Sequence, residues 1–157
     1  MAGNQDLIAP CGLYCGVCAV YLATRDDNAK LKGVLAQAYQ GKLPHSENLT
    51  PEQISCQGCL SGQTWGFCST CAIRACAQER GLEGCQQCQD FPCQLIQGFP
   101  MAIGKKVIMR GIPRRAEVGV AQWLAEEEAR YHCPACGQKL TRGAPRCHQC
   151  GVAVDLD

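Results

Sequence analysis

Residues 133–151 have the sequence CPACGQKLTRGAPRCHQCG, in which a C-x2-C-G unit occurs twice with ten residues between the two pairs of cysteines. Tetrahedral zinc needs four ligands, and each unit supplies two thiolates from one tight loop. The glycine after each unit permits the left-handed backbone that such a loop requires. The spacing therefore predicts a β zinc ribbon over residues 131–157, with one structural zinc. Its predicted ligands are Cys133, Cys136, Cys147 and Cys150.

Cysteine dominates the composition, with 15 of 157 residues against two Trp, four Tyr and three Phe. Without the cysteines, the aliphatic core is thin for this length, so metals or cross-links must supply stability. The apolar run 7–23 has no basic leader and contains three cysteines, unlike a signal peptide. No run is long and apolar enough to predict a membrane span. We expect a cytoplasmic metal-binding protein, because a reducing cytosol disfavours disulfides.

Eight further cysteines lie between residues 56 and 93, enough for two four-thiolate sites. They are Cys56, Cys59, Cys68, Cys71, Cys76, Cys85, Cys88 and Cys93. In the simplest partition the first four share one site and the last four share another, and an interleaved pairing is the alternative. Zinc is the first expectation for the metal, since thiolate tetrahedra favour zinc or iron–sulfur and zinc needs no assembly machinery. A [4Fe-4S] cluster is the alternative.

The remaining three cysteines, Cys11, Cys15 and Cys18, have C-x3-C-x2-C spacing with Gly12 and Gly16 between them. This spacing resembles the motif of radical S-adenosylmethionine enzymes, whose three cysteines hold a [4Fe-4S] cluster with one open iron. The chain is too short for the large barrel of those enzymes. Three thiolates leave one metal position vacant. The position is either open to chemistry or filled by His45 or by a cysteine of the middle region.

Capping signals and apolar spacing predict four helical segments, at residues 28–40, 50–53, 72–80 and 115–130. The first places Leu31, Val34, Leu35 and Ala38 on one face. The predicted fold is a small, metal-organised, α-rich domain (α+β, irregular) over residues 1–130, followed by the β zinc ribbon.

The order of the motifs resembles a prokaryotic cysteine-rich family catalogued as domain of unknown function 3795. The resemblance covers residues 7–130. It is carried by IAPCGLYCGVC at 8–18, then C-x2-C at 56–59, CSTCAIRAC at 68–76 and CQQCQDFPC at 85–93. It implies a compact, mostly helical metal-binding protein, common in anaerobic bacteria and archaea, with no activity that can be transferred.

No catalytic motif is present: there is no G-x-S-x-G, phosphate loop or dinucleotide fingerprint. An enzyme is therefore not favoured, and we expect neither a catalytic residue nor a membrane partner. The net charge of +1 creates no global field. The basic stretch 105–115 could contact nucleic acid, although a solvated surface is commoner because no aromatic residues interleave to stack on bases. The acidic run 126–128 is interpreted as a solvated helix face.

The leading functional hypothesis is a mainly zinc-binding protein that serves as an interaction or adaptor module for another protein. The alternative is an iron–sulfur protein for electron transfer, or an accessory to a redox enzyme, centred on Cys11, Cys15 and Cys18. A third hypothesis is metal handling, in which these three cysteines accept and pass on a soft ion.

Overall fold

A computed structural model describes residues 4–157, and the chain is mostly helical. Its helices are α1 (Ala19–Arg25), α2 (Ala29–Tyr39), α3 (Gly66–Ser69), α4 (Ala72–Glu79), α5 (Gln94–Gln97) and α6 (Ala102–Arg130). Short 3-10 turns lie at Gln5–Leu7, Cys15–Val17, Pro51–Gln53 and Cys85–Gln87. The α-rich class is confirmed. A β ribbon is not shown, because strand pairing at 131–157 consists of two isolated bridges, His132 with Lys139 and Arg146 with Ala153.

Helix α2 begins where the sequence predicts, because the Asn28 side chain caps it by accepting a hydrogen bond from the Leu31 N–H at 3.0 Å. The predicted apolar face is wrong in part. Leu35 and Ala36 are buried against α1, whereas Val34 is 54% exposed. The buried face of α2 is the one that contacts α1. The spacing of apolar residues along α2 does not reveal which neighbour it packs against. The predicted segments at 50–53 and 72–80 are confirmed.

Helix α6 is longer than predicted and is broken at Gly119, whose φ of 81° and ψ of 167° are not helical. Its two halves fold back on each other, since Arg110 pairs with Glu127 at 3.0 Å and Arg114 with Glu126 at 2.7 Å. The prediction of one amphipathic helix over 115–130 is therefore wrong in both its start and its continuity. Glycine permits the chain reversal because it has no Cβ to clash at positive φ.

Within residues 4–157, apolar packing is divided among four small groups rather than one large core, and every group contains or contacts a cysteine. The C-terminal segment docks on the others. The Arg142 backbone N–H donates to the Val17 carbonyl at 2.9 Å, and Leu156 packs in two of the groups. No helix in the described part of the chain is both long and apolar enough to cross a membrane.

Candidate metal centres

The four C-terminal cysteines, termed the terminal cluster, have Sγ atoms that all lie within 4.8 Å of one another. The Cys133 and Cys150 sulfurs are 3.6 Å apart, and the Cys136 and Cys147 sulfurs are 3.7 Å apart. Four thiolates bound tetrahedrally at about 2.3 Å from one ion lie about 3.8 Å apart. The predicted residues are therefore brought together at a spacing that one tetrahedral metal ion requires.

The two loops of the terminal cluster have the same backbone design. Gly137 and Gly151 adopt φ of 75° and 76°, as predicted, and donate to the carbonyls of Cys133 and Cys147 at 2.8 and 2.9 Å. The backbone N–H of Cys150 donates to the Cys147 thiol and lowers its pKa. Backbone N–H groups that point at sulfur favour the thiolate, which is the form that binds metal. In the other loop the Gln138 backbone N–H acts to lower the pKa of Cys136, but burial and the neighbouring thiols raise it overall.

The last four cysteines of the middle region are termed the four-thiol group. Its members are Cys76, Cys85, Cys88 and Cys93. Burial raises the pKa of Cys85 to about 11, and the charges of Cys88, Cys93 and Cys76 add to the effect. The Arg80 guanidinium donates to the Cys88 sulfur at 3.2 Å. Cys85 and Cys93 also pack in the same apolar group as Cys11, Cys59 and Cys71, so the assignment of these four cysteines to one site stays a prediction.

The other seven cysteines, from the N-terminal segment and the first half of the middle region, are termed the seven-thiol group. They are Cys11, Cys15, Cys18, Cys56, Cys59, Cys68 and Cys71. Cys11, Cys59 and Cys71 belong to one apolar packing group with Ile73 and Ile112, which also includes Cys85 and Cys93 of the four-thiol group. Cys18, Cys56 and Cys68 belong to another, with Ile54 and Trp65. Two C-x2-C units, at 56–59 and 68–71, therefore divide their sulfurs between the two packing groups.

Electrostatic effects link these cysteines both within and across the two packing groups, since the charge of Cys59 also raises the pKa of Cys68. Burial raises the pKa of Cys11, and the charges of Cys59 and Cys71 raise it further. Burial likewise raises the pKa of Cys68, with the charges of Cys18 and Cys56 next in size. Cysteines of the N-terminal segment thus lie near cysteines of the middle region. His45 lies on an exposed loop after α2.

Two arginines that the sequence analysis did not single out accompany the seven-thiol group. Arg74 donates to the Cys59 carbonyl at 3.2 Å and opposes the burial-driven rise in the pKa of the Cys59 thiol. Arg142, from the C-terminal segment, donates to the Tyr14 carbonyl at 3.2 Å. Burial lowers the pKa of Arg142, but the charge of Cys18 contributes to a net rise. Arg74 could have been found from sequence, because it follows Cys71 by three residues, one helical turn.

The basic stretch 105–115 forms contacts within the protein. Besides the pairs of Arg110 and Arg114 across the hairpin, Arg115 is buried, donates to the Ala9 carbonyl at 3.1 Å and lies over the Trp123 ring. The interpretation of the acidic run 126–128 as a solvated face is wrong, because Glu127 is buried against Arg110. Its neighbours pair with cations as well, Glu126 with Arg114 and Glu128 with Lys139.

Fold and site define a small, mostly helical, cysteine-rich protein whose terminal cluster could hold a metal ion. Residues 7–98 match the family described as "Protein of unknown function (DUF3795)", and the chain belongs to that family. The match includes the seven-thiol and four-thiol groups, and the terminal cluster lies outside it. No curated protein and no solved structure matches the chain.

Proposed function

We propose that this protein is a metalloprotein with two kinds of centre: a structural zinc in the terminal cluster and iron–sulfur clusters on the eleven inner cysteines. Its proposed role is electron transfer, or accessory service to a redox enzyme. The observation that carries the proposal is the difference in thiol spacing. Within residues 4–157, only the terminal cluster brings three or more candidate ligands within 4.8 Å of one another.

The terminal cluster supports zinc because its spacing matches four thiolates around one ion and its four ligands complete the tetrahedron. A closed tetrahedral site is structural rather than catalytic. We propose that residues 131–157 are a zinc ribbon in which two metal-binding loops replace an extensive sheet. His132 and His148 flank the ligands and are not needed to complete the site.

The inner cysteines support iron–sulfur clusters because their thiols gather in common packing groups at a wider spacing than around a single ion. In a cluster each cysteine binds a different iron, so the thiolates surround an inorganic core. Thiolate-only ligand sets are typical of zinc and of such clusters. Partial burial of the thiols and the nearby Arg74, Arg80 and Arg142 are features that tune a cluster's reduction potential.

The test is anaerobic purification of the full chain followed by visible absorption and analysis of iron, sulfide and zinc. We expect a brown protein with one zinc. Cys136→Ser should remove the zinc and retain the colour, and the matched variant Cys88→Ser should reduce iron and retain the zinc. A colourless, iron-free protein that binds zinc at the inner cysteines would contradict the iron–sulfur assignment.

A role as an interaction module for another protein is the second candidate, favoured by the surface of the terminal cluster. Cys136 and Cys150 are exposed, and the neighbouring Val152 is 38% exposed. Exposed ligands and an adjacent apolar side chain leave this surface of the terminal cluster accessible to a protein partner. A photo-crosslinker at position 152 should capture one reproducible partner in cells, and a crosslinker at the exposed Val34 should not. Equal labelling from both positions would argue against this role.

A further inference from the structure

Helix α6 carries one charged side chain among the small and apolar residues of its buried face. Before the reversal at Gly119, the buried residues of the helix are Gly104, Val107, Ile108, Gly111, Ile112 and Arg115. The three aliphatic residues of this face pack in the same apolar group as Cys11 and Cys85. Arg115 is 3% exposed, and burial lowers the pKa of its guanidinium. A cation is therefore held in the interior, on the helix that packs against these two cysteines.

The Arg115 guanidinium lies where the segment of Cys11 meets the loop of Cys85. Its Nη1 donates to the Ala9 carbonyl at 3.1 Å, two residues before Cys11. The Cys85 N–H donates to the Pro10 carbonyl at 2.8 Å and so bonds the two segments to each other. The cation thus holds the N-terminal segment at the point where the Cys85 loop is attached to it.

Gly84 brings the Cys85 loop against the same guanidinium. A Cβ on Gly84 would lie 3.1 Å from Arg115 Nη2 and 2.3 Å from Gln86 Oε1. The backbone of Gly84 is extended, with φ of −179°, so the lack of space and not the backbone conformation requires a glycine there. The loop that carries Cys85 therefore approaches the cation as closely as the Cys11 segment does.

The positive charge of Arg115 is poorly compensated by the protein itself. Among residues 4–157, Arg115 forms no ion pair with a carboxylate. Its Nε is buried without an acceptor, and the Trp123 ring, with its centroid 5.2 Å from the guanidinium carbon, adds only a cation–π contact. The charge of Glu83 opposes the fall in the Arg115 pKa, but that side chain is exposed. Since a buried charge without a paired partner is costly, an anionic group is expected beside Arg115.

We propose that Arg115 is the buried counter-ion of an anionic iron–sulfur cluster whose ligands include Cys11 and Cys85, and that its charge raises the reduction potential of that cluster. The inference rests on the proposed iron–sulfur function. Net charge and nearby hydrogen-bond donors are among the factors that set such a potential. Reduction adds one electron from an external donor, and no covalent bond forms or breaks. Because the added electron makes the cluster more negative, a fixed cation stabilises the reduced form more than the oxidised form.

The experiment is a redox titration of the anaerobically purified full chain, with dithionite as the electron donor and electron paramagnetic resonance to follow each cluster. Arg115→Gln should make reduction of one cluster about tenfold less favourable, a shift of about 59 mV to lower potential for one electron. Arg115→Lys keeps the charge and should restore most of the difference. Arg146→Gln is the matched control, because Arg146 donates to the Gly151 carbonyl within the terminal cluster, and should change no potential. Equal shifts in the glutamine and lysine variants would indicate a purely structural role and overturn the inference.

A further variant keeps the test decisive if Arg115→Gln fails to fold. Gln86→Glu leaves Arg115 in place and adds a carboxylate beside its guanidinium without altering side-chain length, so it should lower the same potential. Cys85→Ser should alter or remove the signal that these variants shift. A brown Gln86→Glu protein with unchanged potentials would overturn this inference alone, as would a shift confined to a signal that Cys85→Ser leaves intact. A colourless, iron-free wild-type protein would overturn the proposed function itself.

Discussion

The terminal cluster and the seven-thiol group are built on opposite plans from the same residue type. The terminal cluster collects four thiols from two adjacent loops within 18 residues, 133–150. The seven-thiol group collects its thiols from three segments spread over residues 11–71. In the first, both sulfurs of each C-x2-C unit join one site. In the second, two of the units divide their sulfurs between packing groups.

This contrast shows that the C-x2-C spacing predicts metal ligands without predicting which ligands share a metal. A loop with its own glycine and inward N–H groups fixes a pair locally, as in the terminal cluster. In the seven-thiol group, neighbouring segments decide which packing group each cysteine joins. The Cys56 N–H donates to the Thr24 hydroxyl of α1 at 3.0 Å, and the Leu60 N–H donates to the Asp6 carbonyl at 3.1 Å.

Metal removal should give the largest effect and separate the two plans. Cys136 and Cys150 are exposed, whereas Cys11 and Cys56 are buried. A chelator under reducing conditions should therefore take the terminal metal first with little loss of helix. Loss of the inner metal should then unfold the chain, since structural zinc alone contributes about 10–16 kcal/mol to folding of small zinc domains. The measurement is circular dichroism recorded while metal release is followed. A fall in the helical signal with the first metal released would contradict the predicted order.

Glu127→Gln should be more damaging than removal of an exposed charge from the same helical hairpin. Glu127 is buried and binds Arg110, which also lies 3.7 Å from Asp157 of the C-terminal segment. Removing one partner of a buried pair costs about 3–5 kcal/mol, and we expect the lower end because Asp157 remains. Urea unfolding measures the loss. Glu117→Gln, at the exposed pair with Arg114, is the control and should change little; equal effects would contradict the importance of the buried pair.

Arg142→Ala should show whether the terminal cluster supports the seven-thiol group. Its guanidinium bond to the Tyr14 carbonyl is the charged contact between them, and such a bond contributes about 1.5–3 kcal/mol. We expect lower stability and a changed spectrum of the inner centre, with the terminal metal retained. Arg146→Ala is the matched control, because Arg146 donates to the Gly151 carbonyl within its own loop and does not contact the seven-thiol group. An unchanged inner spectrum in Arg142→Ala would show that the two regions are independent.

Asn28→Ala should give the smallest effect. It removes the side-chain cap of α2, the helix whose Leu35 and Ala36 pack in the same group as Cys56. Loss of an N-cap costs about 1 kcal/mol. Thermal unfolding should shift downward, and Asn48→Ala, at an exposed loop residue, should not shift it. A larger loss accompanied by inner metal release would mean that α2 helps to hold the seven-thiol group.

Sequence reasoning succeeded where the signal was local. The start of α2 followed from Asn28, the turn at 50–53 from Thr50 and Pro51, and the loops of the terminal cluster from their glycines. It failed where packing between distant segments decided the outcome. The buried role of Glu127 depends on the reversal at Gly119, which turns an acidic run toward a basic one.

By itself, the sequence determined the family, the α-rich class and the terminal cluster, because each depends on residues close together in the chain. Only the tertiary structure decided that Cys11 lies with Cys59 and Cys71 while Cys18 lies with Cys56 and Cys68. The physical reason is that a short loop fixes the direction of its own thiols. Where a C-x2-C loop sends its two thiols to different packing groups, the segments that pack beside each thiol decide which other thiols it meets.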